Sequence, residues 1–591
     1  MKKEIQRRLG LLRQWMQRRG IDAFIIPTTD PHSSEYVAEH WEARRWLTGF
    51  TGSAGTAVVT ARHAGLWTDS RYFLQAEEQL AGTGIRLFKE RLAETPSIGQ
   101  WLAKELKGAG TVGLDGWVDS GAYTADIRKH LSSAPICAGD PFQEIWSDRP
   151  ALPDTPVFIH DMAYAGESCQ SKLARIRNVF RTTDKRCKGI LLSSLDEIAW
   201  TLNLRGDDVH CNPVFISYLY ITSQSATLYI NKEKITPEVA AYLVQNHITR
   251  KAYADIEKDL KRGKRPIIIA STLNSQLKEA VKAPLTVSPP PVALMKSIKN
   301  ETEQEGFRQA MKQDGVAMVR FLKWLKPAVE AGGESELSID RVLYKLRAQG
   351  EQFRGISFDT IAGYAQHAAI VHYEATSESN IPLAPRGLLL LDSGGQYLSG
   401  TTDLTRTIAL GPVSKEEKTD YTLVLKGFLH LQNAHFPEGT CGTQLDALAR
   451  QFMWKEGINY LHGTGHGVGT FLNVHEGPHQ IRMNHIPTPL QPGMTVTDEP
   501  GIYKAGSHGI RTENTLLVVP AEETPFGRFF KFEPLTLCPI DKEPIRTEML
   551  TDEELAWFNK YHENVYLQLS PLLNEEECQW LHQATLPLQR N

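Results

Sequence analysis

Three stretches of the 591-residue chain combine residue types that could hold metal ions or move protons. The first is Leu388-Leu-Leu-Leu-Asp392-Ser-Gly-Gly-Gln-Tyr-Leu-Ser-Gly-Thr-Thr-Asp403-Leu-Thr-Arg-Thr-Ile408. An apolar run ends on a carboxylate, Gly394 and Gly395 permit a turn, and Thr401 to Ile408 reads as a β-branched strand. Such a hairpin brings Asp392 near Asp403, and two carboxylates beside apolar strands repel, so one must hold a proton unless a cation lies between them. Taken alone, the segment equally allows Asp392 to cap a turn and Asp403 to face water. The second stretch is His462-Gly-Thr-Gly-His466-Gly-Val-Gly469. Its glycines deny a stable helix, let backbone approach a ligand, and leave two imidazoles to be fixed by tertiary contacts. The third pairs Thr497-Asp-Glu499-Pro-Gly501 with Gly509-Ile-Arg511-Thr-Glu513-Asn-Thr515. Both look like strand ends, with Arg511 and Glu513 on one face, an arrangement that by itself requires nothing beyond an ion pair.

Together Asp392, Asp403, Glu499, Glu513 and one of the two histidines form a donor set dominated by hard oxygen. Four carboxylates cannot sit together uncompensated; two divalent cations supply the balancing charge, and such ligation favours Mn, Co, Fe(II) or Mg over a thiolate zinc site. Two metals about 3.5–4 Å apart can hold a bridging water, lower its pKa and polarise a carbonyl, which is hydrolysis without a protein nucleophile. Two other patterns are decoys. His475-Glu-Gly-Pro-His479 satisfies HExxH, but Gly477 and Pro478 oppose the helix that motif needs, proline by about 3 kcal/mol. Gly49-Phe-Thr-Gly-Ser-Ala-Gly55 lacks the Gly-Lys-Ser/Thr of a phosphate loop and reads as a tight turn into the strand Thr56–Thr60. No GxSxG nucleophile elbow occurs.

The elements that must position these residues are those of a large α/β chain. The basic N-terminus places Ile5, Leu9, Leu12 and Met16 at helical spacing, which predicts a first domain helix rather than a transit peptide. Two Pro-rich breaks, Ser147–Pro156 and Val287–Leu294, divide the chain, and a helical pattern runs from about Asn300 to Leu325. The segments before the second break share an order of strand, Trp-containing helix, strand, strand, a weak sign of an internal repeat. Beyond Pro520, Phe529–Leu535 and a tail carrying Trp557, Tyr561 and Trp580 predict docking on another surface, within the chain or in a second subunit. Lys+Arg total 65 against 69 Asp+Glu, a net charge of −4 that gives no support to a nucleic-acid or polybasic membrane role. The seven cysteines lack any CxxC and fit a reducing cytosol. No run is long and apolar enough to span a membrane. Ten of the 19 histidines lie between His367 and His508, in the window of the acidic motifs.

LLLLDSGGQYLSGTTDLTRT, HGTGHGVGTFLNVHEGP, TDEPGIY and GIRTEN resemble the three-domain, cytosolic-type aminopeptidase P (Xaa-Pro aminopeptidase) family of pita-bread metallopeptidases. GFTGSAGTA, GLWTDSRYFLQA, SSLDEIAWTLNLRGDDVHCNPVF and FEPLTL extend the likeness nearly end to end. The resemblance implies two creatinase-type α/β domains, 1–150 and 151–295, and a pita-bread α+β catalytic domain, 296–591, whose tail joins a homodimer. It implies a cytoplasmic dimetal aminopeptidase that cleaves the N-terminal Xaa-Pro bond of peptides by a metal-bridging hydroxide. The metals are two divalent ions per subunit, manganese first, with cobalt or zinc as alternatives. Asp403 and Glu513 would bridge them, His466 and Glu499 completing one ion and Asp392 the other; Glu499 would also be the general base. His372, His462 and His475 match active-site histidines that are not ligands, and Arg511 an arginine that holds the bridging Glu. Arg71 is placed in the substrate channel or in a surface ion pair, and His367 has no role. An Xaa-Pro dipeptidase (prolidase) and a non-catalytic peptide-binding pita-bread protein are the competing readings.

Overall fold

The apolar stripe of the basic N-terminus becomes the helix Lys2–Arg18, which buries Ile5, Leu9, Leu12, Trp15 and Met16. The structure is a computed structural model that describes residues 2–133, 135–183, 185–289 and 291–590. It divides into two compact units: residues up to His160 with Glu167–Val292, and Asp161–Gly166 with the chain from Ala293 onward.

The first unit contains the internal repeat in full. One six-stranded sheet runs Arg86–Lys89, Ala64–Thr68, Thr56–Thr60, Ala23–Pro27, Val112–Leu114, Ile136–Cys137. The other runs Ile248–Lys251, Ala226–Ile230, Ser217–Thr222, Gly189–Leu192, Ile267–Ala270, Leu285–Ser288. Order and strand directions agree at every step, antiparallel in the central three strands and parallel outward on both sides. The helices Ala43–Thr48 and Leu195–Leu202 occupy equivalent places in the chain. Gly49–Gly55 is the turn before the strand Thr56–Thr60, with Gly49 in the left-handed region at φ 72°. Arg71 donates to Asp69 at 2.9 and 2.7 Å.

In the second unit the long helix is Glu301–Ala331, capped reciprocally by Asn300 and Glu303. It outlasts the expected end at Leu325 and passes through Pro327. The lost backbone bond is offset because Leu325 and Val329 continue the buried stripe. Three strands carry the first acidic motif: Ile361–Tyr364, Leu388–Ser393 and Leu404–Ala409, with Ile361 opposite Asp392 and Asp392 opposite Thr405. The expected turn at Gly394–Gly395 is replaced by a small inserted hairpin, Gly395–Tyr397 against Gly400–Thr401. A Cβ on Gly394 would lie 2.0 Å from the Thr402 carbonyl, so this glycine serves close approach rather than a reversal. The tail docks within the unit: Tyr561 is buried and its hydroxyl accepts from Arg406 at 2.9 Å, while Trp557 and Trp580 pack on the same core.

The long helix is pinned to the inserted hairpin by charge. Asp314 accepts from Arg347 at 2.7 and 3.1 Å and from the Tyr397 hydroxyl at 2.8 Å, all three being buried. Asp314→Ala leaves Arg347 charged and unpaired, and a loss of about 3–5 kcal/mol is expected, read as an earlier urea transition. Tyr397→Phe removes one donor to a buried carboxylate and costs about 1.5–3 kcal/mol.

Candidate metal centre

Asp392 lies near the end of the strand Leu388–Ser393, and Asp403 just before Leu404–Ala409. His466 sits in the middle of the short strand Gly465–Gly467. Glu499 follows the strand Thr495–Asp498, where Pro500 breaks the ladder, and Glu513 lies between His508–Arg511 and Asn514–Thr524. Each carboxylate therefore stands at a strand end or interruption, where a side chain can turn out of the sheet.

Asp403, His466 and Glu513 offer ligand atoms that all lie within 4.8 Å of one another. His466 Nε2 is 3.5 Å from Asp403 and 3.6 Å from Glu499. Its Nδ1 is 2.9 Å from the Gly467 carbonyl, which places the proton on Nδ1 and turns the Nε2 lone pair into the site. Thr497 sets both neighbours: its hydroxyl accepts from the His466 amide at 3.0 Å and donates to Glu499 at 3.3 Å. Glu513 accepts from the Thr405 hydroxyl at 2.7 Å.

Arg511 differs from the expected pairing with Glu513. Its guanidinium donates to Asp392 at 2.6 and 3.2 Å and to the Thr405 hydroxyl at 3.2 Å. The strand stops between Arg511 and Asn514, so the shared face read from the spacing does not extend to Glu513; Thr405 links the two instead. Tyr503 joins this group: Arg511 donates to its hydroxyl at 2.7 Å, and His462 Nε2 lies 2.9 Å from the same oxygen. His462 Nδ1 is 2.6 Å from the Gly463 carbonyl and 3.9 Å from Glu499, and its ring lies 4.7 Å from that of Tyr460. His475 packs edge-on against His466, centroids 4.4 Å apart. His372 is half-buried between Val371, whose carbonyl accepts from Arg511 at 3.2 Å, and buried Tyr373.

The electrostatics describe a site short of positive charge. Burial, then the charges of Asp392 and Glu499, raise Asp403 well above the usual carboxylate range. Burial, then Asp403, Asp392 and Glu499, do the same to Glu513. Burial pushes Glu499 up to about 7, with Asp392 adding to the rise and Arg511 opposing it. Asp392 Oδ1 is buried without a hydrogen-bond partner among the described residues. Four carboxylates against one guanidinium, an orphaned carboxylate oxygen and an imidazole with its lone pair aimed inward are the donor set of a hard-cation centre.

The HExxH decoy has dissolved as expected. Glu476–Ile481 is a strand, Glu476 pairs with Lys296 and Lys299 at 2.5 and 2.6 Å, and His479 bonds the Thr495 carbonyl at 2.7 Å. Most of the remaining histidine excess is structural. His367 faces Glu336 at 2.9 Å, His430 faces Glu554 at 2.9 Å, and His508 faces Asp420 at 2.9 Å. Sequence reasoning passed over Tyr503, Thr405 and Thr497. Tyr503 stands inside the quoted TDEPGIY, and the alternation of the strand through Thr405 and Thr407 was the available signal for a polar inner face.

Metallopeptidase family M24 matches residues 305–520, and the C-terminal region of that peptidase matches 528–588. The Creatinase/Prolidase N-terminal domain matches twice, over 8–144 and 148–303. A Sordaria macrospora protein named "Probable Xaa-Pro aminopeptidase P" is 39% identical, covering 98% of this chain and 99% of its own length. A protein of that name from Talaromyces marneffei is 40% identical, covering 98% and 92%. The solved X-prolyl aminopeptidase of Caenorhabditis elegans, described as a cytosolic enzyme with a di-nuclear active site, matches 99% of this chain and all of its own, at 32% identity and TM-score 0.94. The prolidase of Pyrococcus horikoshii matches 62% of this chain at 23% identity and TM-score 0.50, a likeness of fold.

Proposed function

The chain belongs to metallopeptidase family M24, in its aminopeptidase P group, and is a metallopeptidase with a pita-bread domain behind creatinase-type N-terminal domains; from that premise we propose that it removes the first residue of peptides whose second residue is proline. The observation that carries the reading is the convergence of Asp403, His466 and Glu513 within ligand distance in a chain so related over its whole length. Asp392, Asp403, His466, Glu499 and Glu513 would together hold two divalent cations. Such a pair, when bound, supplies an activated water and a Lewis acid for the scissile carbonyl. Manganese is the proposed metal, with cobalt and zinc as alternatives.

The protein's own groups then do the following. Glu499 receives the proton of the attacking water on a carboxylate oxygen and returns it to the proline nitrogen as the C–N bond breaks. His372 and His475 orient the substrate or donate to the oxyanion that develops on the carbonyl, and His462, whose ring nitrogens lie against the Gly463 carbonyl and the Tyr503 hydroxyl, orients the substrate. Arg511 fixes Asp392 directly and Glu513 through Thr405. An Xaa-Pro bond has no N–H, so recognition rests on the free amine and the shape of the ring. Domains at 1–150, 151–295 and 296–591, a homodimer and a cytoplasmic setting complete the proposal. The cysteines are all free, and no described helix is long and apolar enough to cross a membrane.

Chelation is expected to abolish cleavage of a tripeptide with proline second, and manganese to restore it best among manganese, cobalt and zinc. The tripeptide is expected to outpace the matching Xaa-Pro dipeptide by more than about tenfold in kcat/KM, or roughly 1.4 kcal/mol of transition-state discrimination. A dipeptide preference would favour the prolidase reading, and metal-loaded protein without turnover the non-catalytic one.

A further inference from the structure

We propose that Glu336 is a positioning residue of this centre, holding the stretch Tyr364–Ile381, and with it His372, in register beside Arg511 and Asp392. The inference rests on reading the site as the peptidase centre, and assigns a purpose to His367, which the family resemblance left without one.

Glu336 opens the helix Glu336–Arg347, and its side chain is completely buried. A carboxylate out of water is costly unless its lone pairs are taken. Here four groups take them: Oε1 accepts from the Tyr364 amide at 3.0 Å and faces His367 Nδ1 at 2.9 Å, and Oε2 accepts from the Tyr373 hydroxyl at 2.8 Å and the Ile381 amide at 3.1 Å. The Glu336 amide in turn donates to the Ile381 carbonyl at 3.3 Å. All of these partners belong to one stretch of chain. It leaves the sheet at Tyr364, three residues after Ile361 pairs with Asp392, and Glu336 grips it again at Ile381.

The opposite side of the stretch is held by the centre itself. Arg511 donates to the Val371 carbonyl at 3.2 Å, and the strand His508–Arg511 lies so close that a Cβ on Gly509 would be 1.7 Å from the Ala368 carbonyl. The two neighbours of His372 are thus tied separately, Val371 to the guanidinium that holds Asp392, and Tyr373 to Glu336. Only an acceptor with lone pairs on two oxygens can serve four donors. A glutamine at 336 offers one oxygen and turns its own N–H groups toward other donors. Loosening Glu336 therefore shifts His372 without touching a ligand, and displacement of about 1 Å in a positioned group can cost on the order of a hundredfold in rate.

The test compares Glu336→Gln and Tyr373→Phe with wild-type protein, each with and without His372→Ala, all loaded with manganese. It reads kcat and KM on a tripeptide with proline second, together with bound metal and the thermal midpoint. Glu336→Gln is expected to lower kcat by about 10–100-fold and Tyr373→Phe by about 3–10-fold, with KM within about threefold and metal content unchanged. His372→Ala is expected to cost much less in the Glu336→Gln background than alone, because the histidine is already displaced. Tyr373→Phe removes one hydroxyl and keeps the ring, so it carries the comparison if Glu336→Gln folds poorly. Wild-type kcat in the two variants, or a His372→Ala penalty undiminished in either background, overturns the inference while the peptidase reading stands. Wild-type protein that leaves the peptide intact overturns the peptidase reading and this inference with it.

Discussion

Glu499→Gln lowers kcat/KM on an Xaa-Pro tripeptide by about a thousandfold, within the 10²–10⁴ range of a positioned acid–base group. Glutamine keeps a carbonyl oxygen as a donor and nearly the same volume, so metal binding survives better than with alanine. What it cannot do is accept a proton. In the metal-free site burial and the charge of Asp392 raise the proton affinity of the wild-type carboxylate to about 7; bound cations lower it again, so what suits the carboxylate to the step is its position. Its setting is fixed from three directions: the amide donates to the Thr464 carbonyl at 2.8 Å, the Thr497 hydroxyl donates to Oε1 at 3.3 Å, and His462 stands 3.9 Å from Oε2. Steady-state kinetics beside a metal assay separate the two roles of the residue. A large fall in kcat with two metal equivalents retained identifies the proton carrier; a fall that added manganese repairs identifies a ligand alone. Unchanged turnover in Glu499→Gln would falsify the mechanism.

The acidic motifs were legible because their chemistry is written locally. Gly394 and Gly395 beside Asp392, the glycines around His466 and Pro500 after Glu499 each announce a departure from regular structure, and it is at such departures that the five candidate ligands stand. The repeat was legible only faintly, since strand order is conserved in space while the side chains that fill the two sheets differ. The fine geometry was less accessible. The inserted hairpin Gly395–Tyr397 with Gly400–Thr401 depends on contacts far away in sequence, such as the Thr401 hydroxyl bonded to the Leu472 carbonyl at 3.3 Å. Arg511 could not be assigned to Asp392 from spacing, because the pairing spans 119 positions and needs the hairpin Gly501–Lys504 with His508–Arg511 to be brought to the strand that carries Asp392. Glu336 carried no local signal: it reads as an ordinary acidic residue in a first helical turn, where a negative charge is favourable for unrelated reasons. Its partners emerge only once Tyr364, His367, Tyr373 and Ile381 are brought around it.

Removing metal should expose the charge imbalance of the centre as a pH-dependent loss of stability. Asp403, Glu499 and Glu513 all have proton affinities raised in the folded, metal-free protein. The folded chain therefore binds protons that the unfolded chain has released, and the metal-free form loses stability as pH climbs. The loss begins near the ordinary carboxylate value and, for Glu499, is complete above about 7. For Glu499 alone, a rise from 4.5 to about 7 corresponds to about 3 kcal/mol at alkaline pH. Asp403 and Glu513 act in the same direction, and the three titrate as a group rather than singly. Two bound divalent cations replace those protons, so the metal-loaded protein escapes the decline. The gap in thermal midpoint between manganese-loaded and chelated protein is accordingly expected to widen from pH 5 to pH 8. Asp403→Asn, by removing one of the repelling charges, should flatten the metal-free decline and raise the midpoint of chelated protein at pH 8. A gap that stays constant, or one that narrows with rising pH, would mean that the carboxylates do not share one buried site.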